Sequence, residues 1–231
     1  MNPETRPTAP GPLGILQDFL NSGHLQAAEW MHPEVAKTIR LRLAEGEARP
    51  SLSKEYGLSQ MLISAVGRGA AMYDEFQTTE GANTWLVSHG LQDPGIELSD
   101  EVLRRLIALR ELLRDLAVAN THGPLTAAQV EALNELARSD PLVVEFDADA
   151  NVVLRPVKAP EQASGRLLAI LFDVMRDGSW QRLKRCPGTG CPFTFYDSSR
   201  NRTGTWCSMA VCGNRAKVRN YQARKRRMRS A

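Results

Sequence analysis

Four cysteines near the C-terminal end constrain this chain more than any other feature of its sequence. Four residues separate Cys186 from Cys191, four separate Cys207 from Cys212, and fifteen lie between the two pairs. Thiolates are soft ligands, and a tetrahedral zinc site is most simply built from two short loops that each supply two sulfurs. The chain has no other cysteine. The pattern therefore predicts a Zn²⁺ site that uses all four.

Two disulfides are the alternative to a metal site, and they require an oxidising compartment. The N-terminal sequence MNPETRPTAPGPLG lacks the basic residues and apolar run of a secretory signal. No segment approaches the ~18 continuous apolar residues of a membrane span. We therefore expect a cytoplasmic, non-membrane protein that holds zinc, and a hydrophobic content of 42% is enough for a globular core.

The formal net charge of +3 conceals a strongly polarised chain. Residues 181–231 contain thirteen Lys or Arg and one acidic residue, Asp197, and so carry +12, whereas the other 180 residues carry −9. Segregated positive charge is typical of a surface that binds a polyanion. A solvated, flexible tail is the plainer explanation. However, the basic run begins at the last predicted metal ligand, so a zinc site would orient it.

Hydrophobic periodicity predicts a mainly α (α+β) protein. Residues 99–120 form the clearest helix, because Val102, Leu106 and Leu113 belong to an apolar row at spacings of three and four. Alternating residues at 142–146 and 152–155 predict a small β-hairpin. Further helices are expected at 83–92, at 126–137, where Thr126 and Gln129 form a capping-box pattern, and at 160–176, the last with Phe172 and Met175 turned toward the core.

The predicted domain order has three parts. Residues 1–12, which contain four prolines, form a disordered tail, and residues 13–180 form a helical N-terminal domain with the hairpin. Residues 181–231 form a four-cysteine zinc finger followed by a basic helix at about 214–227. Val218 and Tyr221 of that helix are expected to pack inward.

No set of residues in the sequence predicts catalysis. The four histidines are scattered without ligand-like spacing. There is also no defensible pairing of a nucleophile with a base, and no phosphate-binding glycine loop. We therefore expect a protein that is not an enzyme.

The C-terminal motifs resemble the CGNR zinc finger of bacterial transcription regulators. The resemblance rests on CPGTGC at 186–191, FYDSSRN at 195–201 and WCSMAVCGNRAK at 206–217. In that family the finger follows a helical ABATE domain, proposed to sense stress or a ligand, and residues 18–22, Trp85-Leu86, the long helix and the hairpin resemble it. The resemblance implies a stress-induced transcription regulator with a small-molecule effector. Residues 203–205 and Ser22 depart from the family pattern, which has arginines and a threonine there.

About 60 residues separate the two parts of the ABATE-like pattern, where the family has a short connection. Residues 33–69 of this insertion resemble a helix-turn-helix, with helices at 33–44 and from about residue 52, and Gly57 in the turn. The third helix would bury Leu58, Ile63 and Val66. It would present Gln60, Ser64 and Arg68 to the DNA major groove. An ordinary helical hairpin is the alternative.

The basic residues of the finger and its helix are candidates for contact with nucleic-acid phosphates. Their charges lie on several faces, which suits phosphate contact better than base readout. Phe193, Phe195, Tyr196 and Trp206 are expected to pack around the metal site rather than to stack on bases. The candidate contacts are Arg200, Arg202, Arg215, Lys217, Arg219, Arg224, Lys225, Arg226 and Arg227.

Together these features predict a DNA-binding transcription regulator. The zinc finger would supply most of the binding affinity, and the helix-turn-helix would supply sequence preference. Binding should therefore fall as the salt concentration rises and be lost on removal of residues 213–231. An RNA-binding or ribosome-associated zinc protein is one alternative. Another is a ligand-sensing interaction module that binds nucleic acid nonspecifically. The sequence is compatible with a homodimer but does not determine the oligomeric state, the operator, the effector or the sign of regulation.

Overall fold

The computed structural model describes residues 7–23, 33–56, 63, 66, 74–157, 162–188, 191 and 193–229. It divides the chain into two compact units, one made of residues 1–21 and 78–231 and the other of residues 22–77. Within the described ranges the fold is mainly helical, with two small antiparallel hairpins. None of the helices described there is long and apolar enough to cross a membrane.

The described elements follow one another in a simple order. The α-helices are α1 (Pro12–Asn21), α2 (Pro33–Ala44), α3 (Arg49–Glu55), α4 (Thr79–Ser88), α5 (Asp100–His122), α6 (Ala127–Ser139), α7 (Ala163–Arg176) and α8 (Asn214–Arg229). The strands are β1 (Leu142–Phe146), β2 (Val152–Pro156), β3 (Leu183–Arg185) and β4 (Thr194–Tyr196). Short 3₁₀ turns occupy Glu75–Gln77 and Trp180–Arg182, and one π-helical turn occupies Met209–Gly213.

Helix α5 is the longest element and contributes much of the core of the larger unit. Ser99, the first residue of the predicted helix, is its N-cap and accepts a hydrogen bond from the Val102 backbone N–H. Val102, Leu106 and Leu113 are buried along one face. The same helix also buries Arg110 and Arg114, which the polar pattern of the sequence did not predict.

Helix α1 packs into this core through a nearly continuous apolar face. Leu16 and Phe19 have no exposed surface. The described residues before the helix are held against it, because the Ala9 N–H donates to Gln17 Oε1 at 2.7 Å and Gln17 Nε2 donates to the Pro7 carbonyl at 3.2 Å. A buried glutamine thus satisfies the backbone at Pro7 and Ala9, within the predicted disordered tail of residues 1–12, whereas residues 1–6 of that tail lie outside the described residues.

Helix α7 differs from its prediction in which side chains it buries. Ala163, Leu167, Leu171 and Val174 form the buried face. Phe172 and Met175 are about half exposed instead of reaching the core. The β1–β2 hairpin packs on this helix, with Pro156 against Gly165, at a distance that leaves no room for a side chain on Gly165.

Two other predictions are confirmed with shifted boundaries. Thr126 and Gln129 form the expected capping box at the start of α6. Helix α4 begins at Thr79, four residues before the predicted start, because Thr78 provides its N-cap by accepting from the Gly81 backbone N–H. The β1–β2 register pairs Leu142 with Pro156 and Phe146 with Val152.

The smaller unit contains α2 and α3. Ile39 of α2 and Leu52 of α3 share a buried cluster with Ile63 and Val66, both of which are helical residues. Arg42 links the two helices, donating to both carboxylate oxygens of Glu55 at 2.7 Å. The predicted first helix has the expected bounds, and the second begins earlier, at Arg49. The predicted turn at Gly57 lies outside the described residues.

Candidate metal centre

The first cysteine pair lies in the loop that joins β3 to β4. Strand β3 ends one residue before Cys186, and the Cys186 N–H donates to the Phe193 carbonyl at 3.0 Å. The chain then turns so that the Cys191 N–H donates to the Gly188 carbonyl at 2.7 Å. A Cβ on Gly188 would lie 3.2 Å from Cys212 Sγ. Glycine therefore lets the backbone of this loop pass close to the sulfurs.

The second pair lies at the start of the C-terminal helical segment. Cys207 precedes the π-helical turn Met209–Gly213 and Cys212 lies within it, with its N–H donating to the Ser208 carbonyl at 2.9 Å. A Cβ on Gly213 would lie 2.3 Å from Met209 Sδ, so the Met209 side chain would have to move to admit one. Helix α8 follows directly at Asn214. The last metal-ligating position is thus joined to the basic helix without an intervening loop.

The four sulfurs form one buried cluster. All four Sγ atoms lie within 4.8 Å of one another, and no cysteine is in a disulfide. Cys191 Sγ is 3.6 Å from Cys207 Sγ, which is 3.7 Å from Cys212 Sγ. A tetrahedral zinc ion with Zn–S bonds of about 2.3 Å separates its sulfurs by about 3.8 Å. The donor set and its spacing therefore fit zinc.

Hydrogen bonds within the cluster separate the pKa values of the thiols. Donation from Cys191, and then from Cys207, lowers the pKa of Cys186 to about 2. The pKa of Cys191 is raised, because its ionisation would remove its hydrogen bond to Cys186. Zinc binds the thiolate form, so the metal must displace the remaining thiol protons, and its affinity falls in acid.

Aromatic side chains pack against the metal site, as the sequence predicted for Phe193, Phe195 and Trp206. Phe195 is buried in the same cluster as the cysteines, and Phe193, Trp206 and Val211 pack against it. Tyr196 is half-buried at the end of β4. A small apolar shell of this kind keeps water away from the thiolates and stabilises the loops that carry them.

A buried ion pair supports the loop that connects the two cysteine pairs. Lys184 Nζ donates to Asp197 Oδ2 at 2.6 Å, and also to the Arg202 and Gly204 carbonyls. The Ser199 and Gly204 N–H groups donate to the two Asp197 oxygens at 3.0 and 2.8 Å. Burial alone would raise the pKa of Asp197, but the hydrogen bonds from Lys184 and Ser199 outweigh it and lower that pKa to about 2.

Two asparagines attach the finger to the helical domain. Asn21, at the end of α1, donates from Nδ2 to the Thr194 carbonyl at 2.8 Å and accepts at Oδ1 from the Thr194 N–H at 2.9 Å. Asn120 of α5 donates to the Trp180 and Leu183 carbonyls at 3.0 and 2.8 Å. The structural roles of Asn21, Asn120 and Lys184 were not predicted from the sequence. Two residues of this network carried another signal: Asn21 lies in the family-like segment 18–22, and Asp197 is the sole acid in a basic segment.

Helix α8 extends from the metal site with almost all of its side chains exposed. It carries eight Lys or Arg and no acidic residue. Only Ala216 is buried among its residues 214–228. Val218 and Tyr221 are 54% and 65% exposed, so the prediction that they pack inward is wrong. The helix begins two residues after Cys212, and none of its residues from 217 to 228 is buried.

The structure places most of the predicted phosphate contacts on this surface. The exposed ones in α8 are Arg215, Lys217, Arg219, Arg224, Lys225, Arg226 and Arg227. Arg200 and Arg202 are exposed in the loop after β4, where Arg202 donates to Gln181 Oε1 at 2.6 Å. The other three candidates, Gln60, Ser64 and Arg68, lie outside the described residues.

Comparison with known protein families agrees with this geometry. A model of the CGNR zinc finger matches residues 182–225, which contain both cysteine pairs and most of α8. The C-terminal part of the chain is therefore a zinc finger, and its four cysteines hold zinc.

The larger match identifies the chain's family. The model of ABATE, described as "Putative stress-induced transcription regulator", matches residues 58–177, more than half of the chain. The chain belongs to the ABATE family. The match includes residues 58–69 of the predicted insertion but not residues 18–22. No curated protein matches the chain.

Proposed function

We propose that the protein is a DNA-binding transcription regulator whose α8 supplies the main contact with the phosphate backbone. The exposed cationic surface of this helix carries the proposal, since it has eight basic and no acidic residues. Duplex DNA presents about one negative charge per 1.7 Å of helix axis, and basic side chains release its bound counterions. The family description, a transcription regulator, supports the same assignment.

In this proposal zinc has a structural role. The ion would join the loop after β3 to the π-helical turn before α8, through Cys186 and Cys191 on one side and Cys207 and Cys212 on the other. The hydrogen bonds of Asn21 and Asn120 then connect the finger to α1 and α5. A change in the helical domain would thus be transmitted to the orientation of α8, which suits a regulator whose effector binds that domain.

The decisive experiment measures binding of the zinc-loaded full chain to a labelled duplex over a range of salt concentrations. We expect log K to fall linearly with log salt, with a slope of about −0.9 for each phosphate contact. Changing Arg219, Arg224 and Arg226 together to Gln should weaken binding and reduce that slope by about 3. Val130, an exposed residue of α6, offers a matched control as Val130→Gln. Unchanged affinity and slope in the triple variant would refute the role of α8.

We also propose that residues 33–69 act as a helix-turn-helix that adds sequence preference. The buried cluster of Ile39, Leu52, Ile63 and Val66 supports it, because Ile63 and Val66 are two of the residues expected on the buried side of the third helix. Gln60→Ala and Arg68→Ala test the proposal. Loss of preference for duplex DNA over single-stranded RNA would support it, whereas an unchanged ratio would favour the RNA-binding alternative.

The remaining proposals concern the setting in which the protein acts. A small-molecule effector of the helical domain should raise the melting temperature of the full chain by preferential binding to the folded state. Light scattering would determine whether the chain forms a homodimer. Fractionation of cells would test the cytoplasmic location. Both matched families describe regulators or zinc fingers, which supports a role other than catalysis.

A further inference from the structure

Helix α8 carries an exposed apolar stripe that the phosphate contacts leave unexplained. Val218, Tyr221 and Met228 are 54%, 65% and 82% exposed. Their spacings of three and seven residues place them on one side of an α-helix, together with Lys225. Val218 is two residues from Ala216, and residues two apart lie about 200° apart around a helix. The stripe is therefore opposite Ala216, the one buried side chain among residues 214–228.

Basic residues lie on both sides of the stripe. Lys217 and Arg224 lie along one edge, and Arg215, Arg219 and Arg226 lie along the other. All five are exposed. The helix therefore presents a narrow apolar surface between two cationic rows, on the side that faces away from the metal cluster.

The charge on this face determines what can cover it. A second copy of α8 would bring another eight positive charges against the first, with no acidic residue to compensate. A membrane-surface helix requires large apolar anchors such as Trp, Phe or Leu, and α8 has none of them. The major groove of B-DNA is about 12 Å wide and admits a helix, with phosphates along both edges and base edges at its floor.

We propose that α8 lies lengthwise in the DNA major groove, with Val218 and Tyr221 against base edges and the two basic rows on opposite phosphate strands. This inference rests on the proposed function and assigns sequence preference to α8 in addition to phosphate contact. The 16 residues of α8 make it about 24 Å long, enough to follow about seven base pairs. Apolar side chains in this position favour thymine, whose methyl group projects into the major groove.

The stripe is tested with the variant Val218→Ala/Tyr221→Ala, which keeps every charge of α8. Zinc-loaded wild-type chain and variant are each used to select sequences from a randomised duplex pool. Affinities are then measured for the enriched duplex and for a scrambled duplex of equal composition. We expect the wild type to prefer the enriched duplex, and the variant to lose about tenfold or more of that ratio while its affinity for the scrambled duplex stays within about twofold.

The matched control is Lys217→Gln/Arg224→Gln, which removes one basic row and leaves the stripe intact. It should weaken binding to both duplexes equally and reduce the salt slope by about 2. Both variants change exposed side chains, so zinc content and helicity by circular dichroism should equal those of the wild type.

The possible outcomes distinguish a failure of this inference from a failure of the proposed function. If the stripe variant enriches the same sequences and its ratio of affinities for the enriched and scrambled duplexes is unchanged, the inference is overturned. DNA binding by α8 is then left intact. A wild type that binds all duplexes equally overturns it in the same way. Absence of any duplex binding overturns both. Binding to vesicles of phosphatidylserine and phosphatidylcholine that depends on Val218 and Tyr221, with duplex ratios unaffected, would overturn it and assign the stripe to a lipid surface instead.

Discussion

Asn21 and Thr194 are 173 residues apart in the chain, yet the amide of Asn21 forms both a donor and an acceptor hydrogen bond with the backbone of Thr194. This pairing extends β4 at its free edge with a side chain that mimics a strand. Asn120 provides a similar contact for the other strand of the hairpin, at the Leu183 carbonyl. The zinc finger is thus hydrogen-bonded to the first and longest helices of the larger unit rather than attached by its linker alone.

The Asn21 contact should contribute measurably to stability. Asn21→Ala would leave the N–H and C=O of the buried Thr194 without these partners, and we expect the free energy of unfolding to fall by about 1–3 kcal/mol. Urea denaturation followed by circular dichroism provides the measurement. Asn220→Ala, an exposed position of α8, is the control and should change stability by less than about 0.5 kcal/mol. Equal effects of the two substitutions would contradict the role of Asn21.

Removal of the metal should unfold the finger while leaving the helical core. The finger contains few buried apolar residues besides its cysteines, so the metal supplies much of its folding free energy. We expect Cys212→Ser to lower the bound zinc measured by mass spectrometry and to abolish duplex binding. Chelation of the wild type should have the same effect and be reversed by added zinc. Duplex binding that survives chelation at full strength would show that zinc does not orient α8.

The Lys184–Asp197 pair predicts a pH-dependent contribution to stability. The pKa of Asp197 is lowered to about 2 in the folded chain, whereas an unfolded aspartate has a pKa of about 3.9. The stabilisation is therefore complete above about pH 4 and is lost as the pH falls toward 2. The shift corresponds to about 2–3 kcal/mol at neutral pH.

Asp197→Asn tests this contribution. At pH 7 the variant should be less stable than the wild type by at least about 2 kcal/mol, because Lys184 remains buried without its counter-ion. The difference in the free energy of unfolding between the two proteins should shrink as the pH falls below about 4. Zinc release at low pH affects both proteins alike and so does not contribute to that difference. A stability difference that stays constant from neutral pH to about pH 3 would be inconsistent with ionisation of Asp197.

Gly188 should be required for tight metal binding. A Cβ there would lie 3.2 Å from both Cys191 Cβ and Cys212 Sγ, closer than ordinary van der Waals contact. We expect Gly188→Ala to weaken zinc affinity about 10-fold or more, measured by competition with a chelator, because the sulfurs must move from their tetrahedral spacing. Ala210→Gly, an exposed position of the neighbouring π-helical turn, is the control. Equal zinc affinity in Gly188→Ala and the wild type would contradict this requirement.

Patterns with short periods could be predicted directly from the sequence. The apolar row of α5, the capping box of Thr126 and Gln129, and the β1–β2 alternation each depend on neighbours along the chain. The exposure of Phe172 could not be predicted, because the apolar residues of α7 outnumber the positions on its buried face. The sequence does not show which of them the neighbouring elements cover. The burial of Arg110 in α5 was missed for a related reason, since a helical pattern does not show which further elements will surround a charged side chain.

The sequence by itself determined the zinc site, because four cysteines in two equal pairs leave one simple set of ligands. It also determined the concentration of positive charge that follows the last of them. The tertiary structure decided where that charge is directed. Asn21 and Asn120 hold the finger against α1 and α5, and the Cys212 turn runs without a loop into α8, so the basic helix is exposed with Val218 and Tyr221 on its outer face. These contacts join residues far apart in the chain, and their partners are backbone groups, which leave no signature in side-chain spacing.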